Sequence, residues 1–123
     1  MAEMAGKQAL IEAMLAEGVQ YVFGNPGSTE CGFLDAIEEY PQMKYVMGLQ
    51  EIVAMGMVDG YARSSGKVGV INLHTSAGLG NAMGGIFNSF RGGTPMVLTA
   101  GHAHSRLFHQ DPSLWSDTVR TTR

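Results

Sequence analysis

Apolar positions recur along the chain in two alternating rhythms. From Ala5 to Glu17, Leu10, Ile11, Met14 and Leu15 return at helical spacing, and Gly18 stands where a left-handed cap would end the helix. The run Gln20-Tyr21-Val22-Phe23 is β-branched and aromatic, and Gly24-Asn25-Pro26-Gly27 after it predicts a buried strand closed by a sharp turn. Ser28 or Thr29 is expected to cap a second helix, which carries Glu30 in its first turn, presents Phe33, Leu34 and Ile37 on one face and stops before Pro41. Lys44 to Met47 reads as a second strand. Gln50 to Ser64 reads as a helix with Ile52, Val53, Met55, Val58 and Tyr61 as core candidates, and its Gly56 and Gly60, four apart, line one stripe open to close backbone approach. Val68 to Leu73 is a third strand, Ser76 to Phe90 a glycine-rich helix, and Pro95 to Ala100 a fourth strand. Past Gly101 the rhythm breaks, and residues 103–123 hold no further apolar strand.

Short apolar strands alternating with helices predict an α/β fold, an open doubly wound parallel sheet with helices on both faces. Ligands gather at the carboxyl ends of the strands in such sheets, here the loops Gly24–Ser28, Gly48–Glu51 and His74–Gly80. The 123 residues fit one domain, 1–123, whose last stretch looks interrupted before its sheet is complete. A formal charge of −3 with scattered Lys and Arg argues against nucleic acid as a partner. A hydrophobic fraction of 45% without a membrane-length apolar run argues against a disordered chain and a membrane protein. Cys31 is the only cysteine, which excludes a disulfide framework and a multi-thiolate zinc site. With no secretory signal at the N-terminus, the expected compartment is the cytoplasm.

Glu51 is the acid to single out, because it follows a strand directly and stands among Leu49, Ile52 and Val53. Two accounts fit it: a solvated carboxylate that complements a helix dipole, or a buried carboxyl able to share a proton with a ligand nitrogen. Asp59 and Glu30 lack this placement. His74 ends the third strand at the same edge, either as an acid or base or as a histidine bonded to a backbone carbonyl. Ser28 is a helix cap or an anion contact. Gly80, Gly84 and Gly85 either pack their helix on the sheet or admit a cofactor. His102, His104 and His109 have no carboxylate or thiolate at ligand spacing, so no metal site is expected. Cys31 reads as an inert small hydrophobe. Met83 occupies the third glycine position of a dinucleotide fingerprint, and no Walker A loop is present.

Read together, Tyr21 to Ser28, Leu49-Gln50-Glu51, Asp59-Gly60-Tyr61-Ala62 and Ile71-Asn72-Leu73-His74 through Gly78 to Gly84 resemble the N-terminal, pyrimidine-binding domain of thiamine-diphosphate-dependent enzymes. Within that family the likeness is greatest to the benzoylformate decarboxylase group, which shares the Gly-Asn-Pro-Gly-Ser turn and the Asn-Leu-His strand end. Acetolactate synthases are similar but lack the histidine. The resemblance covers about Ala5 to Gly101. It implies that Glu51 hydrogen-bonds the aminopyrimidine nitrogen of thiamine diphosphate, that His74 moves protons on the substrate adduct, and that Ser28 contacts the substrate carboxylate. Pro26, Gly27 and Asn81 would line the cofactor or substrate pocket. The implied reaction is decarboxylation of a 2-oxo acid through a thiazolium ylid, with an aromatic acid favoured by His74.

The departures from the family pattern carry expectations of their own. The Gly-Asp-Gly motif and Asn pair that hold the diphosphate through magnesium are absent, so Mg2+ is expected only through a diphosphate-binding domain or subunit, in an oligomer. The chain alone is expected to be an inactive, C-terminally incomplete domain with an exposed sheet edge and an uncovered core face. An acetolactate-synthase-type carboligase fragment and a non-catalytic α/β interaction module are the alternative functions.

Overall fold

Neighbouring residues of the first strand enter different cores, and the whole architecture follows from that alternation. The computed structural model describes residues 3–122. Helix α1 (Gly6–Ala16) leads to β1 (Tyr21–Asn25), and a 3-10 turn (Ser28–Glu30) opens α2 (Cys31–Ile37). Then follow β2 (Lys44–Met47), α3 (Glu51–Ser65), β3 (Gly69–Leu73), α4 (Thr75–Arg91) and β4 (Met96–Ala100). A second 3-10 segment (Ser105–Gln110) and α5 (Thr118–Thr121) complete the described residues, which hold no strand beyond β4. The four strands pair in parallel in the order β2-β1-β3-β4.

Phe23, Ile71 and Leu73 face α3 and α4, packing on Ala54, Met55, Val58, Leu79 and Ala82. Val22 and Val70 face α1 and α2, packing on Ile11, Met14, Ala36, Ile37 and Met43. Helices therefore cover both faces, as the alternation predicts. The chain steps from β1 outward to β2, crosses back to β3 on the other side, and so creates a switch point at the carboxyl ends of β1 and β3. Over β4 the α1-facing side is open: Val97 is 47% exposed beside a cavity of about 370 Å3 lined also by Leu10, Met14, Val68 and Val70.

Several local expectations need correction. Neither Ser28 nor Thr29 caps α2; Gly27 precedes the 3-10 turn, Glu30 precedes α2, and neither position makes a side-chain cap bond. Gly85 packs against Met55 and Ile52 of α3 rather than on the sheet, whereas side chains at Gly80 and Gly84 would meet nothing. Cys31, expected as an inert small hydrophobe, is exposed, and its Sγ donates to the Gly27 carbonyl (3.6 Å). The α3–α4 contact is tied by Asp59, whose Oδ1 accepts from Ser89 Oγ (2.7 Å) and Thr94 Oγ1 (2.8 Å) and whose Oδ2 pairs with Arg63 Nε (2.6 Å).

Candidate active site

Parallel strands deliver their carboxyl ends to one edge, and three of the four bring chemistry there. Gln50 is extended and Glu51 is the first residue of α3, so the turn after β2 drives the carboxylate inward. Glu51 is 7% exposed. Asn25, the last residue of β1, donates through Nδ2 to Glu51 Oε1 (3.2 Å), and Asn81 of α4 donates through Nδ2 to Oε2 (3.0 Å). A buried carboxylate held only by neutral amides keeps acceptor sites on both oxygens, since each can take more than one donor. The solvated-carboxylate account of Glu51 is thereby ruled out.

His74 follows β3 and precedes α4 at the same edge. A side-chain carbon added to Gly78 would lie 3.3 Å from Glu51 Oε1 and 3.5 Å from His74 Cβ. The missing side chain thus leaves the space between the two candidate proton carriers clear. Gly27 plays a similar part on the other side of the imidazole, because a Cβ there would run into the His74 ring. The turn Pro26-Gly27 after β1 is half-buried against this edge. Ser28 is exposed, and its hydroxyl has no protein partner among the described residues. The structure therefore brings Glu51, Asn81, His74, Pro26 and Gly27 to one edge, with Ser28 at its rim.

Four further residues belong to the site, and sequence reasoning missed them. Asn25 read only as a turn residue. Glu30 read as a first-turn carboxylate without the placement of Glu51, yet it is 2% exposed, and its Oε2 accepts from the Gly27 N–H (2.8 Å) and lies 2.8 Å from His74 Nδ1. Thr29 Oγ1 donates to Glu30 Oε1 and sits 3.1 Å from the same ring nitrogen. Thr75 has φ +49°, a left-handed backbone rare for a β-branched residue, and its buried hydroxyl has no partner. Strain of this kind gathers at functional sites.

The other histidines lie apart. His102 donates from Nε2 to the Ser116 carbonyl (2.9 Å) and packs against Phe108 and Trp115, while His104 and His109 are exposed. Among the described residues no three His, Cys, Asp or Glu side chains converge to hold a metal, and no helix is long and apolar enough to cross a membrane.

Residues 4–119 match the family described as thiamine pyrophosphate enzyme, N-terminal TPP binding domain. The chain is 43% identical over 94 residues to benzoylformate decarboxylase of Pseudomonas aeruginosa, covering 76% of this chain and 17% of that one. It is 35% identical over 123 residues to the acetolactate synthase large subunit of Haemophilus influenzae, covering 100% and 22%. The thiamine diphosphate-dependent 4-hydroxybenzoylformate decarboxylase of Rhodococcus jostii RHA1 superposes with a TM-score of 0.88 at 36% identity, over 96% of this chain and 22% of that one. The chain thus spans about a fifth of the length of these relatives. Sequence match and fold agree: the chain belongs to the thiamine-diphosphate enzymes, as their N-terminal TPP-binding domain.

Proposed function

We propose that this domain binds the aminopyrimidine half of thiamine diphosphate and serves a 2-oxo-acid decarboxylase of the benzoylformate type. One observation carries the reading: Glu51 is buried at the switch-point edge, gripped by two amides, with Gly78 leaving its inner side open. The residues present fit the pyrimidine half of the cofactor, because a half-satisfied buried carboxyl is what a ring nitrogen needs to share a proton. Thiamine diphosphate, when bound, supplies a nucleophilic thiazolium carbon and an electron sink for the carbanion that decarboxylation leaves.

The chain's own residues then have definite tasks. Glu51 holds or shares the proton at the pyrimidine nitrogen, and Asn25 and Asn81 fix its orientation. Pro26 and Gly27 shape the wall beside His74. His74 exchanges protons with the substrate, and exposed Ser28 offers its hydroxyl to a substrate carboxylate. The diphosphate and its Mg2+ would be held by a separate domain or by a second subunit, in keeping with the fifth of its relatives' length that the chain spans. Decarboxylation is favoured over acetolactate-type carboligation by the Asn-Leu-His strand end, and the names borne by two of the relatives agree with it.

The test is to combine the chain with a diphosphate-binding domain, thiamine diphosphate and Mg2+, and to measure carbon dioxide release from benzoylformate and from pyruvate. Faster release from benzoylformate is the expected result. Acetolactate formation from pyruvate would support the carboligase instead, and no turnover with either acid would leave the non-catalytic module.

A further inference from the structure

His74 presents one nitrogen to the protein and keeps the other free, and the partners on the protein side decide its tautomer. Glu30 Oε2 lies 2.8 Å from Nδ1 and also accepts the Gly27 N–H. Thr29 Oγ1, 3.1 Å from Nδ1, has a single hydrogen and gives it to Glu30 Oε1. Both neighbours of Nδ1 therefore act as acceptors, and Nδ1 must carry the hydrogen. Neutral imidazole in water favours the other tautomer. Nε2 has no protein partner among the described residues, and the side chain is 22% exposed.

We propose that Glu30 is a positioning residue that holds His74 as the Nδ1–H tautomer, so that Nε2 is the atom that takes and returns protons at the site. The inference rests on the reading of His74 given under the proposed function. Its logic is that of a carboxylate behind a catalytic imidazole. When Nε2 takes a proton, the imidazolium forms against the buried carboxylate; when Nε2 returns it, the ring reverts to Nδ1–H, and Glu30 never takes the proton. Glu30 is closed to a ligand, because three donors from Gly27, Thr29 and His74 hold its two oxygens and the chain packs around it to 2% exposure. Glu51 from α3, across Gly78, the Tyr45 phenol from β2, kept neutral by burial, and the Cys31 thiol, which donates to the Gly27 carbonyl, are titratable groups around the pair.

Glu30→Gln isolates the charge. A glutamine oxygen in place of Oε2 still accepts from Gly27 and Nδ1–H, its amide donates to the Thr29 oxygen, and the hydrogen of the exposed Thr29 hydroxyl turns to water. In the protein joined to its diphosphate-binding domain, E30Q is expected to lower kcat about 10- to 100-fold with KM little changed. In a His74→Ala background the same change should alter kcat less than about twofold, because positioning has nothing left to act on. An equal loss in both backgrounds, or no loss in either, overturns the proposal. Long-range proton–nitrogen spectra of the His74 ring give a second readout that needs no turnover. A protonated Nδ1 and bare Nε2 in the neutral ring support the assignment, whereas an Nε2–H ring overturns it even if benzoylformate is consumed. A protein that turns over no 2-oxo acid yet shows Nδ1–H would refute the proposed function and leave the tautomer assignment standing.

Discussion

Glu30 and Glu51 are both buried carboxylates at the carboxyl edge of one sheet, and they are held in opposite ways. Glu51 is gripped by two long-range amides, from Asn25 and Asn81, and its inner side faces a glycine. Glu30 is held by the N–H of Gly27, the hydroxyl of its neighbour Thr29 and the imidazole of His74. The first is a carboxylate with acceptor capacity to spare, suited to a visitor. The second takes three donors from its own chain and is shut off from solvent, and whatever it does for chemistry it does through the histidine. Burial alone does not mark a catalytic acid; unspent lone pairs that face open space do.

If that distinction holds, removing the proton-sharing ability of Glu51 should strike activity and spare the fold. Glu51→Gln keeps acceptors and volume, so the domain should melt within a few degrees of the parent. Decarboxylation should fall on the order of 10³-fold, equivalent to about 4 kcal/mol of barrier. Rates equal to the parent would remove Glu51 from the chemistry.

Glu30 should show the reverse balance. Glu30→Ala leaves the Gly27 N–H and the Thr29 hydroxyl without partners and opens a void, so a loss of about 2–4 kcal/mol in unfolding free energy is expected. Denaturant melts of Glu30→Ala beside Glu51→Ala check it. A Glu30→Ala protein as stable as Glu51→Ala would show that the two carboxylates are not differently held.

Why one acid was legible in the sequence and the other was not follows from where their surroundings come from. Glu51 opens α3 four and seven positions before the buried Met55 and Val58, so helical spacing already puts it on the inner face, although the apolar neighbours Leu49, Ile52 and Val53 that drew notice to it are exposed. Glu30 looks like a first-turn glutamate, and its burial needs a 3-10 turn instead of a capped helix and the arrival of Gly101 at the end of β4. A side chain at Gly101 would collide with the Glu30 carboxylate and with Thr29. No local pattern announces a contact across seventy positions. The sheet and the succession of strands and helices along the chain were readable because periods of two and 3.6 are local, but of the core positions expected on α3 Met55 and Val58 are buried whereas Ile52 and Val53 are exposed. The partners Asn25 and Asn81 meet Glu51 only after the crossover from β2 to β3 is made, and Gly85 finds α3 rather than the sheet for the same reason.

Thr75 sharpens the comparison from the backbone side. Its left-handed φ of +49° and its unpartnered buried hydroxyl both cost free energy just after His74. Glycine at this position relieves both but gains unfolded-state freedom, so Thr75→Gly should raise stability by about 1 kcal/mol. If the strain serves to aim His74, kcat should fall in the same variant. A variant that is less stable than the parent would mean that Thr75 is held by packing rather than strained.

Asp59 provides a control for both acids, since it is a carboxylate whose work is purely to tie α3 to α4. The Arg63 guanidinium, aided by the Ser89 and Thr94 hydroxyls, holds its carboxyl at about 2, below the ordinary 3.8. A depressed carboxyl contributes stability that is complete above its unfolded value and disappears as pH falls through the folded one. Asp59→Asn should therefore destabilise at pH 7 and lose its effect between about pH 4 and pH 2. Arg63 is half-exposed, at 49%, so solvent screening trims the gain to about 1 kcal/mol. Urea melts of parent and Asp59→Asn across that window measure the gap directly. Unlike Glu51→Gln, the variant should leave decarboxylation unchanged at neutral pH, because Asp59 lies among the C-terminal half of α4 and the turn before β4 rather than at the edge where β1, β2 and β3 end.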